Sequence, residues 1–162
     1  MSRLDSVIRR LEAQRACLDH VTAAVATVGG PVLEIGLGNG RTFDHLRARL
    51  PGREIFVFDR QVDAHPDCVP DATHLFLGDV FDRLPDAIAR LGRTAALIHS
   101  DIGTGDPARK ARVAAALAPL YAQLLAPGAI VASDQEIPSP DWLELPLPDG
   151  VPPGRYFLYR AR

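Results

Sequence analysis

The chain has 162 residues, the length of one ordinary domain, so a second folded domain is not expected. Hydrophobic residues make up 47% and charged residues 23%, the balance of a globular protein rather than a disordered one. A net charge of -2 argues against a general nucleic-acid-binding protein, and no apolar run approaches the length of a secretory leader or a membrane span. A cytoplasmic location is therefore expected, with Cys17 and Cys68 as unpaired thiols.

Apolar residues recur at helical spacing from Asp5 to Val28, which predicts an N-terminal helix ended by Gly29 and Gly30. Residues 31–35 predict a short strand that runs into glycines, and residues 41–50 predict the helix that follows. Further strands are predicted at 54–58, 74–77, 94–100 and 129–133, with helical segments at 63–68, 81–91 and 107–125.

This alternation of strands and helices predicts the fold class. Parallel strands need a crossover connection, so the sheet should be mostly parallel with helices on both faces. Residues 142–145 and 155–160 predict two more strands joined by a loop, which are expected to be antiparallel. The predicted fold is α/β, a three-layer α/β/α sandwich in which a doubly wound, mostly parallel sheet carries an antiparallel C-terminal strand pair.

The segment Glu34-Ile-Gly36-Leu-Gly38-Asn-Gly40 joins the first predicted strand to the next helix, where open α/β sheets bind nucleotides. Its glycines allow a sharp turn and let a ligand approach the main chain closely. Arg41 lies where the dinucleotide fingerprint has its third glycine, which weakens an NAD interpretation. The alternative is a glycine-rich turn that holds no ligand.

Acidic residues also end the second and third predicted strands. Asp59, followed by Arg60, lies roughly 20 residues after the glycine loop, where a carboxylate can accept hydrogen bonds from both ribose hydroxyls. Asp79, followed by Val80, ends the third predicted strand, where its carboxylate can accept a hydrogen bond from a donor group of a ligand. Alternatively, Asp79 only caps the helix at 81–91. Together these residues predict an adenosine cofactor.

Three such motifs in this order, over about residues 31–134, resemble a small, compact bacterial-type member of the class I (Rossmann-like) S-adenosylmethionine-dependent methyltransferases. The resemblance implies S-adenosyl-L-methionine as cofactor and S-adenosyl-L-homocysteine as product. It implies a single domain, 1–162, with an N-terminal helix (1–29) over the cofactor cleft, a cofactor-binding core (31–134) and C-terminal strands (135–162). The implied cofactor-binding residues are Glu34, Gly36, Gly38, Gly40, Asp59, Arg60, Asp79 and Val80.

Asp101 and Asp134 follow the fourth and fifth predicted strands, at the same edge of the sheet as the glycine loop. Methyl transfer needs alignment and, for some acceptors, a base, so both are predicted to be catalytic. His99 is a further candidate base but is expected to be a satisfied histidine within its strand. Asp101 could instead cap its loop.

A carboxylate at each of these strand ends also resembles the catechol-type, metal-dependent branch of the family, in which Asp and an Asp-Asn pair hold magnesium. Here the pair is Asp134-Gln135, one methylene longer than that pattern. Magnesium is therefore not favoured, and no metal ligand is assigned.

The predicted function is transfer of a methyl group to a small-molecule acceptor, since little of the chain is left for a separate recognition domain. The alternatives are a non-catalytic S-adenosylmethionine-binding module and an NAD-dependent oxidoreductase. No nucleic-acid or membrane partner is expected. Trp142, Tyr156 and Tyr159 are expected in the core or in a subunit contact, which leaves a homodimer open, and Gln14 or Arg15 could reach cofactor or substrate from the N-terminal helix.

Overall fold

The computed structural model describes residues 2–103 and 105–162. The strands in this part of the chain are β1 (Val32–Ile35), β2 (Ile55–Asp59), β3 (Leu75–Leu77), β4 (Ala95–Ser100), β5 (Leu125–Ser133), β6 (Trp142–Leu145) and β7 (Phe157–Ala161). The helices are α1 (Arg3–Ala24), α2 (Arg41–Arg49), α3 (Val80–Leu91) and α4 (Pro107–Ala122), with 3₁₀ turns at Pro66–Cys68 and Ala72–His74.

The strands form a seven-stranded sheet in the order β3-β2-β1-β4-β5-β7-β6. Strands β1 to β5 are parallel to their neighbours among themselves, and β7 runs antiparallel to both β5 and β6. The predicted α/β sheet with its antiparallel C-terminal pair is confirmed. The strand order reverses at β1 and β4, and open sheets bind ligands where the order reverses, outside the carboxyl ends of the strands.

Helices cover both faces of the sheet, so the central strands are buried on each side. Every residue of β1 and β4 is buried, as expected of parallel strands between two helical layers. Leu84 of α3 and Tyr121 of α4 pack in the core on one face, whereas Leu18 of α1 and Leu46 of α2 pack in the core on the other. Burial of these apolar surfaces is the main force that stabilises the sandwich.

Hydrogen bonds satisfy backbone groups at both ends of helix α1. Ser2 and Asp5 form a capping box at its N-terminus, which satisfies amides that have no partner within the helix. Beyond its C-terminus, the guanidinium of Arg53 donates hydrogen bonds to four backbone carbonyls. These belong to Val25, Ala26, Val28 and Gly30.

The start of β5 differs from the prediction, which ended the preceding helix at residue 125 and began this strand at residue 129. Leu125 already pairs with Ala95 of β4, and Ile130 pairs with Leu97. An advance of five residues along β5 thus matches an advance of only two residues along β4. The Pro-Gly sequence therefore lies in a bulge of the strand. The helical segment predicted at 63–68 is also shorter and is the 3₁₀ turn Pro66–Cys68.

Trp142, Tyr156 and Tyr159 all lie in the protein's own core. In residues 2–103 and 105–162, no helix combines the length and the apolar character that crossing a membrane requires.

Candidate active site

The carboxyl ends of β1, β2, β4 and β5 converge on one edge of the sheet, and the glycine loop is packed tightly against its neighbours there. The Gly36 amide donates to the Phe58 carbonyl at 2.8 Å. Gly36 has φ of +98°, and a Cβ at this position would come within 2.7 Å of the Asp101 carbonyl oxygen. Only glycine combines that backbone conformation with such a close approach.

A cavity of about 180 Å³ lies on one side of this loop. Its polar wall contains Asp59, Arg60 and Asp79, from the ends of β2 and β3. Its apolar wall includes Phe58, Val80 and Ile102. The structure thus brings together five of the residues named from the sequence, which are Gly36, Asp59, Arg60, Asp79 and Val80.

Asp59 ties β2 to the glycine loop. Its Oδ2 accepts hydrogen bonds from the amides of Leu37 at 2.8 Å and Gly38 at 3.0 Å, and its Oδ1 accepts from the Arg60 amide at 2.7 Å. These bonds orient the carboxylate at the edge of the cavity. Each carboxylate oxygen has more than one lone pair, so the group can still accept from a ligand.

Asp79 caps α3, as the alternative interpretation of this residue expected. Its side chain accepts a hydrogen bond from the Phe81 amide at 2.9 Å through Oδ1. Its Oδ2 lies 4.0 Å from Arg60 Nε. Capping therefore uses one oxygen, and the other remains beside the cavity.

A second cavity of about 180 Å³ lies on the other side of the glycine loop and shares Gly36 with the first. Gly38 and Asn39 contribute the loop side. The opposite side is formed by charged and polar side chains of α1, α2 and the residue after β4. These are Arg10, Gln14, Arg41, Thr42 and Asp101. Gly40 precedes α2 as its N-cap residue and is not part of either cavity lining.

Glu34 lies in a buried polar cluster between β1 and β4. It is fully buried; one oxygen accepts from the Thr42 hydroxyl, and the other lies 2.6 Å from His99 Nδ1. The second ring nitrogen of His99 is hydrogen-bonded to the Tyr156 hydroxyl. Both ring nitrogens and both carboxylate oxygens thus have protein partners, and Glu34 lines neither cavity.

The charges of this cluster depend on one another. Burial alone would lower the pKa of His99, but the neighbouring Glu34 carboxylate outweighs it and holds the pKa above its ordinary value. Burial, with the nearby Asp101 charge, raises the pKa of Tyr156 far above its usual range, so the phenol remains protonated. The cluster is therefore a buried ion pair closed by a neutral hydroxyl.

Sequence reasoning did not identify this cluster, although one pattern could have revealed it. Glu34 and His99 are partners in the β1–β4 register, so two mostly apolar strands each have a charged or ionisable residue at the same level. A polar pair at matched positions in two buried strands predicts a direct contact, because an unpaired buried charge is costly. No such sequence pattern predicts the contact of Tyr156, which reaches the cluster from the loop before β7.

Asp101 joins α1 to the end of β4. Its Oδ2 accepts a hydrogen bond from Gln14 Nε2 at 2.8 Å, and the Gln14 side chain is buried. Among the residues expected to reach the site from α1, Gln14 does so, whereas Arg15 lines grooves on the flanks of the helix.

Asp134 follows β5, and only part of the hydrogen-bonding capacity of its carboxylate is used. Its Oδ1 is buried without a hydrogen-bond partner among the described residues. Burial, and then the Asp101 charge, raise the pKa of Asp134 to about 6, against the opposing effect of Lys110. A Cβ at residue 103 would overlap Asp134 Oδ2, so Gly103 permits the close approach of the loop after β4.

Gln135 carries further unsatisfied polar atoms at the same strand end. It is 5% exposed, and neither atom of its side-chain amide has a hydrogen-bond partner in the described part of the chain. Buried polar atoms without partners are costly, so they mark a place where a ligand can satisfy them. Across residues 2–103 and 105–162, no group of three or more His, Cys, Asp or Glu side chains is arranged to hold a metal ion.

A cavity with acidic residues from two strand ends, beside a glycine loop where the strand order reverses, is typical of the class I S-adenosylmethionine-dependent methyltransferase architecture. The family model described as S-adenosyl-L-methionine methyltransferase matches residues 1–161. The chain belongs to this family, and its cofactor is S-adenosyl-L-methionine.

Solved structures agree with this assignment. The crystal structure of an S-adenosyl-L-methionine methyl transferase from Silicibacter pomeroyi DSS-3 is 45% identical, with a TM-score of 0.93, and the match covers 100% of this chain and 99% of that chain. No match was found among curated proteins.

More distant structures share the fold alone. The antibiotic-resistance methyltransferase Kmr is 12% identical, with a TM-score of 0.54, over 90% of this chain and 93% of its own. TrmN from Thermus thermophilus is 14% identical, with a TM-score of 0.61, over 93% of this chain and 52% of its own.

Proposed function

We propose that residues 1–162 act as one S-adenosylmethionine-binding methyltransferase domain that methylates a small molecule at the carboxyl ends of β4 and β5. In this arrangement residues 1–29 cover the cleft, residues 31–134 bind the cofactor and residues 135–162 complete the sheet. The observation that carries the proposal is the Oδ1 of Asp134, which is buried without a partner among residues 2–103 and 105–162 and is close enough to Asp101 for the two charges to interact. Asp101 lines the second cavity at the glycine loop, so in this proposal Asp134 acts as an acid–base group next to the residue that borders the cofactor site.

The adenosine half of the cofactor fits the cavity lined by Asp59 and Asp79. We assign Asp59 to the ribose hydroxyls, because its carboxylate is already oriented by the loop amides. The free oxygen of Asp79 accepts from the adenine amino group, the Val80 amide meets a ring nitrogen, and Arg60 flanks this edge. Gly36 and Gly38 pass beneath the cofactor.

Glu34 and Gly40 support the loop from within the protein. Glu34 holds the first turn of α2 through Thr42 and holds β4 through His99. Gly40 starts α2. We therefore assign both a positioning role for the cofactor rather than a direct contact with it.

The chemistry follows from the position of the carboxylates. A hydroxyl or amine of the acceptor attacks the methyl carbon, the carbon–sulfur bond breaks, and the sulfonium becomes the neutral thioether of S-adenosylhomocysteine. The acceptor proton passes to Asp134, whose pKa of about 6 leaves it ionised but still basic near neutral pH. Asp101 provides a second negative charge beside the reacting centre.

A small acceptor is supported by the size and position of a third cavity. It measures about 520 Å³, within the usual range of roughly 300 to 1,000 Å³ for small-molecule sites. It lies between α1 and the loop before β7, with Arg9, Arg15 and Arg155 in its walls. Because Phe157 pairs with Ser133, this loop lies at the same edge of the sheet as Asp134.

The test is a screen of small hydroxyl and amine acceptors with isotopically labelled S-adenosylmethionine, with the Asp134→Asn variant as a control. Transfer to a small acceptor that the variant fails to support is the expected result. Transfer only to RNA or protein would refute the small acceptor. Tight binding of S-adenosylhomocysteine with no transfer to any acceptor class would instead identify a non-catalytic binding module.

A further inference from the structure

We propose that Lys110, near the start of α4, is a positioning residue for methyl transfer, and that its ammonium keeps the Asp134 carboxylate in the ionised form that accepts the acceptor proton. This inference rests on the proposed function, in which Asp134 is the base. It assigns a role to a residue that lines none of the three cavities described above and that no sequence motif identifies.

Lys110 and Asp134 approach the same glycine from different elements of the fold. A Cβ at residue 103 would lie 3.1 Å from Lys110 Cε and would overlap Asp134 Oδ2. The end of the lysine stem and the carboxylate are therefore close to each other, with the backbone of Gly103 beside both. Lys110 belongs to α4 and Asp134 follows β5, so only the folded chain brings the two charges together.

The ammonium acts on Asp134 as a nearby charge rather than through a contact ion pair. The salt bridges found in residues 2–103 and 105–162 do not include Lys110. Asp134 is only partly exposed, and salt screens a partly buried pair of charges less than a pair on the open surface. Lys110 can therefore favour the ionised carboxylate from a distance.

The position of Lys110 is unfavourable for the helix that carries it. Helix α4 begins at Pro107, after the N-cap residue Asp106, so Lys110 lies one turn from the positive end of the helix dipole. The first turn contains no acidic residue that would offset a cation there. A charge that does not serve its own helix is a local conflict of the kind expected at functional sites.

The charges nearest to Asp134 act in opposite directions. Burial, and then the Asp101 charge, raise the pKa of Asp134, and Lys110 is the first of the groups that lower it, ahead of His99 and the Gly103 amide. Two carboxylates at neighbouring strand ends repel each other, so one of them tends to take up a proton. The ammonium of Lys110 opposes that tendency at the carboxylate that must stay ionised.

The other titratable groups that face this carboxylate supply no unbalanced positive charge. His99 belongs to the buried ion pair with Glu34. Tyr121 of α4 and Tyr156 before β7 are phenols whose pKa values are raised by burial, so both are neutral. Among the described residues, Lys110 is therefore the cation that offsets the second carboxylate.

Carboxyl NMR on the full chain with isotopically labelled aspartate tests this inference without an acceptor. The Asp134 signal is identified by its loss in Asp134→Asn, and its titration midpoint is then compared between variants. Lys110→Met keeps the unbranched stem beside Gly103 but removes the charge, and it should move the midpoint up by roughly one pH unit. Lys110→Arg keeps the charge and should hold the midpoint near its wild-type value.

Two further variants control for unrelated effects. Arg112→Met removes an exposed cation two residues further along α4 and should not move the midpoint. Asp101→Asn removes the opposing negative charge and should move the midpoint down. Opposite shifts in Lys110→Met and Asp101→Asn could not arise from a general loss of structure.

Turnover should follow the same titration once an acceptor is known. At about pH 6, Lys110→Met should lower kcat by about fivefold, because most of the Asp134 carboxyl is then protonated, and the loss should shrink as the pH rises. The KM for S-adenosylmethionine should stay the same.

The outcomes separate this inference from the proposed function. If Lys110→Met leaves the midpoint unchanged, or if Arg112→Met moves it as far, the inference is wrong while the proposed function stands. If the midpoint moves but the pH dependence of kcat does not follow it, Asp134 is not the base, and the proposed function fails together with this inference.

Discussion

Glu34 and Asp134 lie at the carboxyl ends of strands in the same sheet, yet their surroundings differ. Every oxygen of Glu34 has a protein partner, and the charge is balanced by His99 within a closed cluster. Asp134 has an oxygen without a hydrogen-bond partner in the described part of the chain, and burial raises its pKa to about 6. The protein satisfies the first carboxylate fully, whereas the described residues leave one oxygen of the second without a partner.

The difference shows how a sheet edge can combine stability and reactivity. A satisfied buried ion pair gives the fold a specific register between β1 and β4, although its net contribution to stability can be small. An unsatisfied carboxylate costs stability but is available for proton transfer, as is common in active sites. Mutations at the two positions should therefore have opposite effects on stability.

The largest expected effect is on turnover. Asp134→Asn should lower kcat by about 10² to 10⁴-fold, the usual contribution of a general base, while the Kd for S-adenosylhomocysteine stays unchanged. In the wild type, kcat should fall as the pH drops below about 6, because protonated Asp134 cannot accept the acceptor proton. Asp141→Asn, an exposed aspartate, is the control. A variant with wild-type kcat would show that Asp134 is not the base.

Glu34→Ala should destabilise the protein by about 3–5 kcal/mol, because it leaves His99 buried without its partner. The free energy of unfolding by urea measures this effect. Glu12→Ala, which removes an exposed glutamate of α1, should change stability by less than about 0.5 kcal/mol. An equal effect of the two substitutions would contradict the view of Glu34 as a structural carboxylate.

Asp134→Asn should stabilise the folded protein at neutral pH. The pKa of Asp134 is about 6 when folded, above its ordinary value of 3.8, so the folded state binds more protons between these values and stability falls as pH rises. The penalty is fully present above about pH 6. Because the side chain is only partly buried, we expect a gain on the order of 1–2 kcal/mol at pH 8 and almost none at about pH 3. Unfolding curves at the two pH values test this, and a pH-independent difference would contradict it.

Tyr156→Phe should have the smallest effect, a loss of about 1 kcal/mol, since it removes one buried hydrogen bond to His99 but keeps the ring and the Glu34 ion pair. Thermal unfolding would measure this change. Tyr159→Phe is a useful comparison, because its hydroxyl accepts from the Ile137 amide and has no contact with the ion pair. Only Tyr156→Phe should shift the pH at which His99 titrates, observed by NMR.

Periodicity predicted the fold well, because strand and helix alternation is encoded locally by apolar spacing. The position of Asp59 and Asp79 at strand ends was likewise predictable from the motif order, and both line one cavity. The surroundings of Glu34 and Asp134 were not predictable, because the residues around them come from distant parts of the chain, and a carboxylate in the sequence carries no sign of how many hydrogen-bond partners it will have. The bulge in β5 was hidden for a related reason, since Pro127-Gly128 favours a turn locally and only pairing with β4 makes it part of a strand.

Partly because of the contacts of Arg53, the carboxyl-terminal half of α1 is held to the rest of the molecule more firmly than the amino-terminal half. The carboxyl-terminal half of the helix is held by buried Cys17, Leu18 and Val21 and by the hydrogen bonds that the Arg53 guanidinium donates just beyond the helix. The first turns are held far less, as Leu4 and Val7 are 67% and 45% exposed. The carboxyl-terminal end of the helix is therefore anchored at Arg53, whereas the weakly held amino-terminal part carries Arg10 over the glycine loop. The cofactor should enter beside this amino-terminal part of α1. Amide hydrogen exchange in the first turns of α1 should therefore slow when S-adenosylhomocysteine binds.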